Sequence, residues 1–346
     1  MSATDDSLGQ QTGSAISLSA LRGSILARVS RSFYLSIRLL PTKLRGPVSL
    51  GYLLARASDT IADTTELPVD SRMENLRLLA RGIQGEALGD AIVDLGASLA
   101  PLQKNKDERV LIESLQPCLD WLEQSEVLDR EEVRAVLEQI NRGQILDLER
   151  FQNPKQIAAL ETSAQLDEYT YLVAGSAGQF WTRLCFRRLP KFTARSEGDM
   201  LGMGKRYGMG LQLINILRDA GADLHAGRCY FPNEELAVAA MEPSRILREP
   251  ERFQSIYRKW REKAERQIEA GLQYANAIRN RRVRIATALP GLIGARTLAL
   301  LRDAGATALH RHIKVPRSEV RAIIASLIFG FGARSRIESL YRELSR

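Results

Sequence analysis

Apolar residues recur three and four positions apart through most of this chain, while alternating runs and Asn-Gly or Asp-Gly turns are scarce. That spacing gathers side chains on one face of a helix, whereas a strand needs a period of two. The pattern predicts an all-α chain. Proline lacks the amide hydrogen and clashes with the preceding turn, so it begins or ends helices. Breaks are expected at Leu40-Pro41, Leu67-Pro68, Asn153-Pro154, Leu189-Pro190, Phe231-Pro232, Glu249-Pro250 and Val315-Pro316. No solenoid-period repeat or low-complexity linker interrupts the series. The expected organisation is a loose polar tail over 1–18 and one helical domain over 19–346.

The net charge of +8, from 49 basic and 41 acidic residues, is spread along the chain rather than gathered in a tail. On charge alone it suits nucleic acid, anionic small molecules or an anionic membrane surface. Cys118, Cys185 and Cys229 stand far apart without a CxxC pair, which points away from a disulfide framework or a zinc site and toward a reducing, cytoplasmic setting. The first residues lack the basic-then-apolar order of a secretory signal. No run is expected to span a bilayer, the nearest being AIIASLIFGFGA from Ala322.

Two helical stripes carry the chemistry. In GYLLARASDTIADT, Tyr52, Arg56, Asp59 and Asp63 fall at i, i+4, i+7 and i+11. They share a face of an otherwise apolar helix. In GMGLQLINILRDAGAD, Gly208, Gln212, Asn215, Asp219 and Asp223 repeat the design between leucines and isoleucines. Paired carboxylates on an apolar helix are costly to enclose unless a cation lies between them. Two such stripes suggest convergence on one ligand. Their hard oxygens suit Mg²⁺, with Mn²⁺ as a substitute, and Mg²⁺ usually bridges carboxylates to phosphate oxygens, so a diphosphate is the expected ligand. Arg56 and Arg218 beside the acids support this.

With SRSF at Ser30–Phe33, YxxxVAGxxG at Tyr169–Gly178 and GRCYFP at Gly227–Pro232, the two stripes resemble, in order, the squalene/phytoene synthase family of head-to-head prenyl transferases. The resemblance runs from about Ser30 to beyond Arg317. It implies a single-domain isoprenoid-synthase helical bundle around a central cavity. Asp59, Asp63, Asn215, Asp219 and Asp223 would then bind metal. Arg31, Ser32, Arg56, Gln212, Arg218 and Arg228 would hold diphosphate. Tyr169 matches a tyrosine implicated in proton removal. Its helix carries Val173, Ser176 and Phe180 as a tunnel wall, and the AGSAG run at Ala174–Gly178 reads as close helix packing. Phe33 and Tyr52 are expected to line the cavity and face cationic intermediates, with Trp181 packing in the core.

The resemblance further implies condensation of two farnesyl diphosphates through a cyclopropylcarbinyl diphosphate. Small prenyl diphosphates are then the partners rather than nucleic acid, the monomer is favoured, and a greasy product makes peripheral membrane contact reasonable. ALPGLIGARTLALL from Ala288 and KVPR at Lys314–Arg317 resemble segments of squalene synthases, and Lys314 and Arg317 would meet NADPH phosphates. Reductive squalene formation is the leading expectation, with phytoene, dehydrosqualene or hydroxysqualene formation as alternatives. A non-catalytic, family-like assembly factor is disfavoured, because it would have little reason to keep every acidic ligand.

Overall fold

A computed structural model describes residues 16–30, 33–153 and 155–346 of the chain. Twelve helices organise it: α1 (Phe33–Leu39), α2 (Thr42–Ala62), α3 (Val69–Ile83), α4 (Lys106–Glu113), α5 (Val127–Arg150), α6 (Ser163–Thr170), α7 (Ser176–Arg188), α8 (Glu197–His225), α9 (Pro250–Ala277), α10 (Arg281–Ala304), α11 (Arg317–Phe329) and α12 (Arg334–Leu344). Further helical pieces, among them Ala91–Leu99 and Leu115–Glu123, fill the connections. Pro41, Pro68, Pro232 and Pro316 cap helix starts and Pro250 opens α9, while Pro190 follows the end of α7. Pro154 lies outside the described residues. Pro47 and Pro290 sit inside α2 and α10 without ending them.

Among the described residues the helical reading has one local exception. Ala158–Ala159 (β1) and Arg228–Cys229 (β2) form a two-residue parallel pair. Gly227, at φ 82°, turns the chain out of α8 through a conformation that favours glycine, and β2 then runs back beside the end of that helix.

α8 is the central helix, packed against α7, α9 and α10, while α2 packs on α5 and α1 lies on α10. The apolar core forms two groups, one centred on α2, α3 and α5, the other on α8, α9 and α10. Where α7 crosses α8, the contact is backbone on backbone. A Cβ at Gly178 would stand 2.0 Å from the Gly204 carbonyl oxygen, and one at Gly208 would stand 2.1 Å from that of Ala174. Close packing is thus the role of the AGSAG run.

Between α6 and α7 the helix widens into a π turn at Tyr171–Gly175. One extra residue there rotates everything downstream. The stripe expected from Tyr169 therefore fails at Ser176, which hydrogen-bonds the Leu172 carbonyl within its own helix. The apolarity forecast also needs correction. Among the described residues, the helical stretch long and apolar enough to cross a membrane is Arg281–Leu309, with 78% of its apolar window buried in the protein, and not the run after Ala322. Its apolar faces are consumed by the core. All three cysteines are free and buried.

Candidate active site

α2, α5, α7 and α8 enclose an apolar cavity of about 340 Å³. Gly51, Tyr52 and Ala55 come from α2, Val136 and Ile140 from α5, and Gly208 and Leu211 from α8. The π turn presents Val173 and Ala174, and α7 follows with Ala177, Gly178, Phe180 and Trp181. Tyr52, Val173 and Phe180 are therefore where the sequence put them. Trp181 is a wall residue, contrary to expectation, because the π turn swings the Ala174–Ala177–Gly178–Trp181 face inward. Arg31 and Ser32 lie outside the described residues, as does the side chain of Phe33.

Three of these helices run from the apolar wall to an acidic mouth. One to three turns beyond their lining residues, α2 carries Asp59 and Asp63, α8 carries Asp219 and Asp223, and α5 carries Gln144 and Asp147. The α5 contribution was not foreseen, although Val136, Ile140, Gln144 and Asp147, at four, four and three, repeat the design of the other two stripes. Gln144 Nε2 donates to Asp59 Oδ1 at 2.5 Å. The Tyr230 hydroxyl donates to Asp147 Oδ1 at 2.7 Å, and its ring stacks on Tyr169 at 5.1 Å.

Arg56, Arg218 and Arg228 at the mouth each already hold a carboxylate. Arg56 donates to Glu108 at 2.6 Å and approaches Asp59 at 3.8 Å. Arg218 pairs with Asp219 through two contacts at 2.9 and 2.5 Å. Arg228, delivered by β2, donates to Asp223 at 2.7 Å. Asn215 is exposed and donates to Gln212 at 3.3 Å. Arg72 on α3, which the sequence did not single out, donates to the Ala62 carbonyl at the end of α2 at 2.8 Å and lies within electrostatic reach of Asp63 and Arg228. Its Nε has no hydrogen-bond partner among the described residues.

The electrostatics reveal a surplus of negative charge. Burial in the concave mouth pushes the Asp59 carboxyl up to about 7, against the opposing pull of Arg56, and Asp63 adds to the rise. Its side chain still shows 38% of its surface, so it is surrounded by protein yet reachable from the opening. Burial likewise raises Asp147 to about 6, against the Tyr230 hydrogen bond and Arg228. Asp63 and Asp223 are raised by burial too, each partly restored by Arg228, and Asp63 repels Asp223 across the mouth. The two aspartate pairs thus face each other. Burial holds the phenols of Tyr169 and Tyr230 well above the ordinary tyrosine range, so neither is a free phenolate near neutral pH.

Hard oxygen donors whose charged forms are disfavoured by their surroundings suit a divalent cation. Among the described residues no three acidic, histidine or cysteine side chains converge tightly enough to cage one alone. An ion here would complete its sphere with water and phosphate oxygens, the usual habit of Mg²⁺. Lys314 and Arg317 stand apart, both exposed in the loop before α11 and at its first residue. The chain before that loop packs on α8 at Gly221, where the Leu309 carbonyl oxygen would be 1.9 Å from a Cβ, on the side of the helix away from Asp219 and Asp223.

The sequence matches the family profile described as squalene/phytoene synthase over residues 26–319. It is 28% identical over 231 residues to the bifunctional lycopene cyclase/phytoene synthase of Leptosphaeria maculans, covering 66% of this chain and 36% of that protein. It is also 28% identical over 213 residues to squalene synthase ERG9 of Saccharomyces cerevisiae, covering 61% of this chain and 44% of that one. The matched segment spans less than half the length of either relative. The fold matches the solved structure of TcSQS with the ligand E5700 at a TM-score of 0.70 and 21% identity, covering 93% of this chain and 96% of the other.

Proposed function

The chain belongs to the squalene/phytoene synthase family of prenyltransferase-type enzymes, and from that premise we propose that it joins two farnesyl diphosphates head to head and reduces the product to squalene with NADPH. One observation carries this reading: an apolar cavity opens onto a mouth where Asp59 and Asp63 face Asp219 and Asp223. Such a site holds a greasy chain by one end and a diphosphate by the other.

Asp59, Asp63, Asn215, Asp219 and Asp223 are the residues that would hold Mg²⁺, which supplies charge neutralisation to the departing diphosphate. Arg56, Arg218, Arg228 and Arg72 would exchange a carboxylate or carbonyl for phosphate oxygens, strengthening as the leaving group gains charge. Gln144 orients Asp59. Tyr52, Phe180 and Trp181 present apolar surface and ring faces to the allylic cation and exclude water. Tyr169 is too strongly protonated to act as an anionic base. Its hydroxyl, beside Tyr230 and Asp147, can pass a proton only in concert with a neighbouring acceptor. Lys314 and Arg317 would meet NADPH phosphates at the loop before α11.

An unreduced product such as phytoene or dehydrosqualene is the second reading, favoured by similarity to phytoene synthases as well as squalene synthases. Incubation with labelled farnesyl or geranylgeranyl diphosphate and Mg²⁺, with and without NADPH, separates the two. Squalene formed only with NADPH supports the proposal; an unreduced product made equally well without it refutes the reductive assignment.

A further inference from the structure

Phe329 and Phe331 are the exposed phenylalanines among the described residues, at 81% and 71% of their surface, with Ile328 beside them at 48%. They crown the turn between α11 and α12. This turn is held rather than loose. The Gly330 amide bonds the Ser326 carbonyl, Arg336 Nε bonds the Ser326 hydroxyl at 2.7 Å, and Arg284 donates to the Gly332 carbonyl at 2.8 Å. Phe331 adopts φ 49°, a conformation disfavoured for a residue with a side chain, and Gly332 follows at φ 60°. The backbone is thus braced in a shape that keeps both rings in water. Contiguous exposed apolar surface of this kind marks a contact site.

The surroundings say what the contact is with. Arg281, Arg334 and Arg336 are exposed around the turn, and Arg282, next to Arg281 in the chain, is exposed too. Arg281 and Arg334 both act electrostatically on the buried Arg284 beneath, which fixes them on the same side of the protein. No Asp or Glu occurs from Ala270 to Arg302 or from Val320 to Arg336. The nearest carboxylate recorded in this group is Glu338, hydrogen-bonded to Asn276, whose carbonyl accepts from Arg334. Gly332 rests against Ile285 of α10, which seats the turn on the same helix that carries Ala286 and Thr287 into the cavity wall.

We propose that the Phe329–Phe331 turn, together with these four arginines, docks the protein on an anionic lipid bilayer, with the two rings entering the acyl boundary and the guanidiniums meeting lipid phosphates. Aromatic side chains beside clustered arginines match an interface that is apolar within and negative at its surface. A second copy of the chain is a poorer occupant, because a twofold contact through this patch would oppose arginines to arginines. The surface stands on its own residues and does not depend on which prenyl product is made.

The test is flotation of the full chain with vesicles of phosphatidylcholine alone and of phosphatidylcholine with phosphatidylglycerol, at low and high salt. The wild type is expected to float with the anionic vesicles and to be released by salt. Phe329→Ser with Phe331→Ser should weaken binding at least tenfold, and Arg281→Gln with Arg282→Gln about fivefold per charge removed. Both variants change exposed side chains, so circular dichroism and turnover of farnesyl diphosphate in lipid-free buffer should stay at wild-type levels. Failure of the wild type to float, or unchanged flotation of the phenylalanine variant, overturns the proposal. So does self-association that the variant abolishes while vesicle binding persists.

Discussion

Two glycines of α8 make a matched test of how the site is built. A Cβ at Gly202 would meet nothing within 4 Å, while one at Gly208 would stand 2.1 Å from the Ala174 carbonyl oxygen and 2.7 Å from its carbon. Gly202→Ala removes only the flexibility that glycine brings to a helix, and should stabilise by ~0.5–1 kcal/mol. Gly208→Ala gains the same term but must push two backbones apart by more than an ångström. Overpacking of that kind costs up to ~3 kcal/mol, leaving a net loss of about 2. For 346 residues the unfolding entropy is about 0.7 kcal/mol per degree, so the melting temperature should rise about 1 °C in the first variant and fall about 3 °C in the second. Calorimetry reads both. Farnesyl diphosphate turnover should fall only in Gly208→Ala, since Gly208 lines the cavity one helical stretch before Asp219. Equal melting temperatures and equal activities would show that the α7–α8 contact is not the tight crossing described.

Gln144→Leu removes the donor to Asp59, and loss of such a supporting bond should lower kcat/KM by about 10–100-fold while raising the Mg²⁺ concentration needed for half-maximal rate; an unchanged Mg²⁺ titration would contradict the positioning role. Arg72→Met should raise the KM for farnesyl diphosphate about tenfold, given ~1.5–3 kcal/mol for a hydrogen bond to a charged group, and an unaltered KM would exclude Arg72 from diphosphate binding. The raised carboxyls set a pH dependence. Because Asp59, at about 7, and Asp147, at about 6, bind protons in the folded state that the unfolded chain has released, stability of the metal-free protein should decline as pH rises from about 4 through 7. Added Mg²⁺ should reverse that decline at pH 8. A melting temperature that climbs over the same window without metal would mean the carboxylates are compensated by other charges.

Much of this arrangement is readable in the sequence because helices convert spacing directly into faces. Tyr52 to Asp63 and Gly208 to Asp223 need no partner to define their stripes, and each runs from cavity wall to mouth. The Val136–Ile140–Gln144–Asp147 stripe had the same form, but α5 carries charged residues around much of its circumference, which hides one polar face among others. The π turn at Tyr171–Gly175 depends on how α7 meets α8, so the inward turn of Trp181 and the loss of Ser176 from the wall follow from packing rather than from local spacing. Arg72 joins the mouth through a tertiary contact with the end of α2 and has no periodic signature. Tyr230 lay within the GRCYFP motif, yet its stacking on Tyr169 becomes visible only once β2 folds back from α8.

The central claim is that the facing aspartates make diphosphate departure possible, and diphosphate release from farnesyl diphosphate measures it most directly. Asp59→Asn and Asp219→Asn keep the size of each side chain and remove one charge. Each should cut release by several orders of magnitude at saturating Mg²⁺, with circular dichroism and melting temperature at least equal to wild type. Release at the wild-type rate from either folded variant would contradict the account.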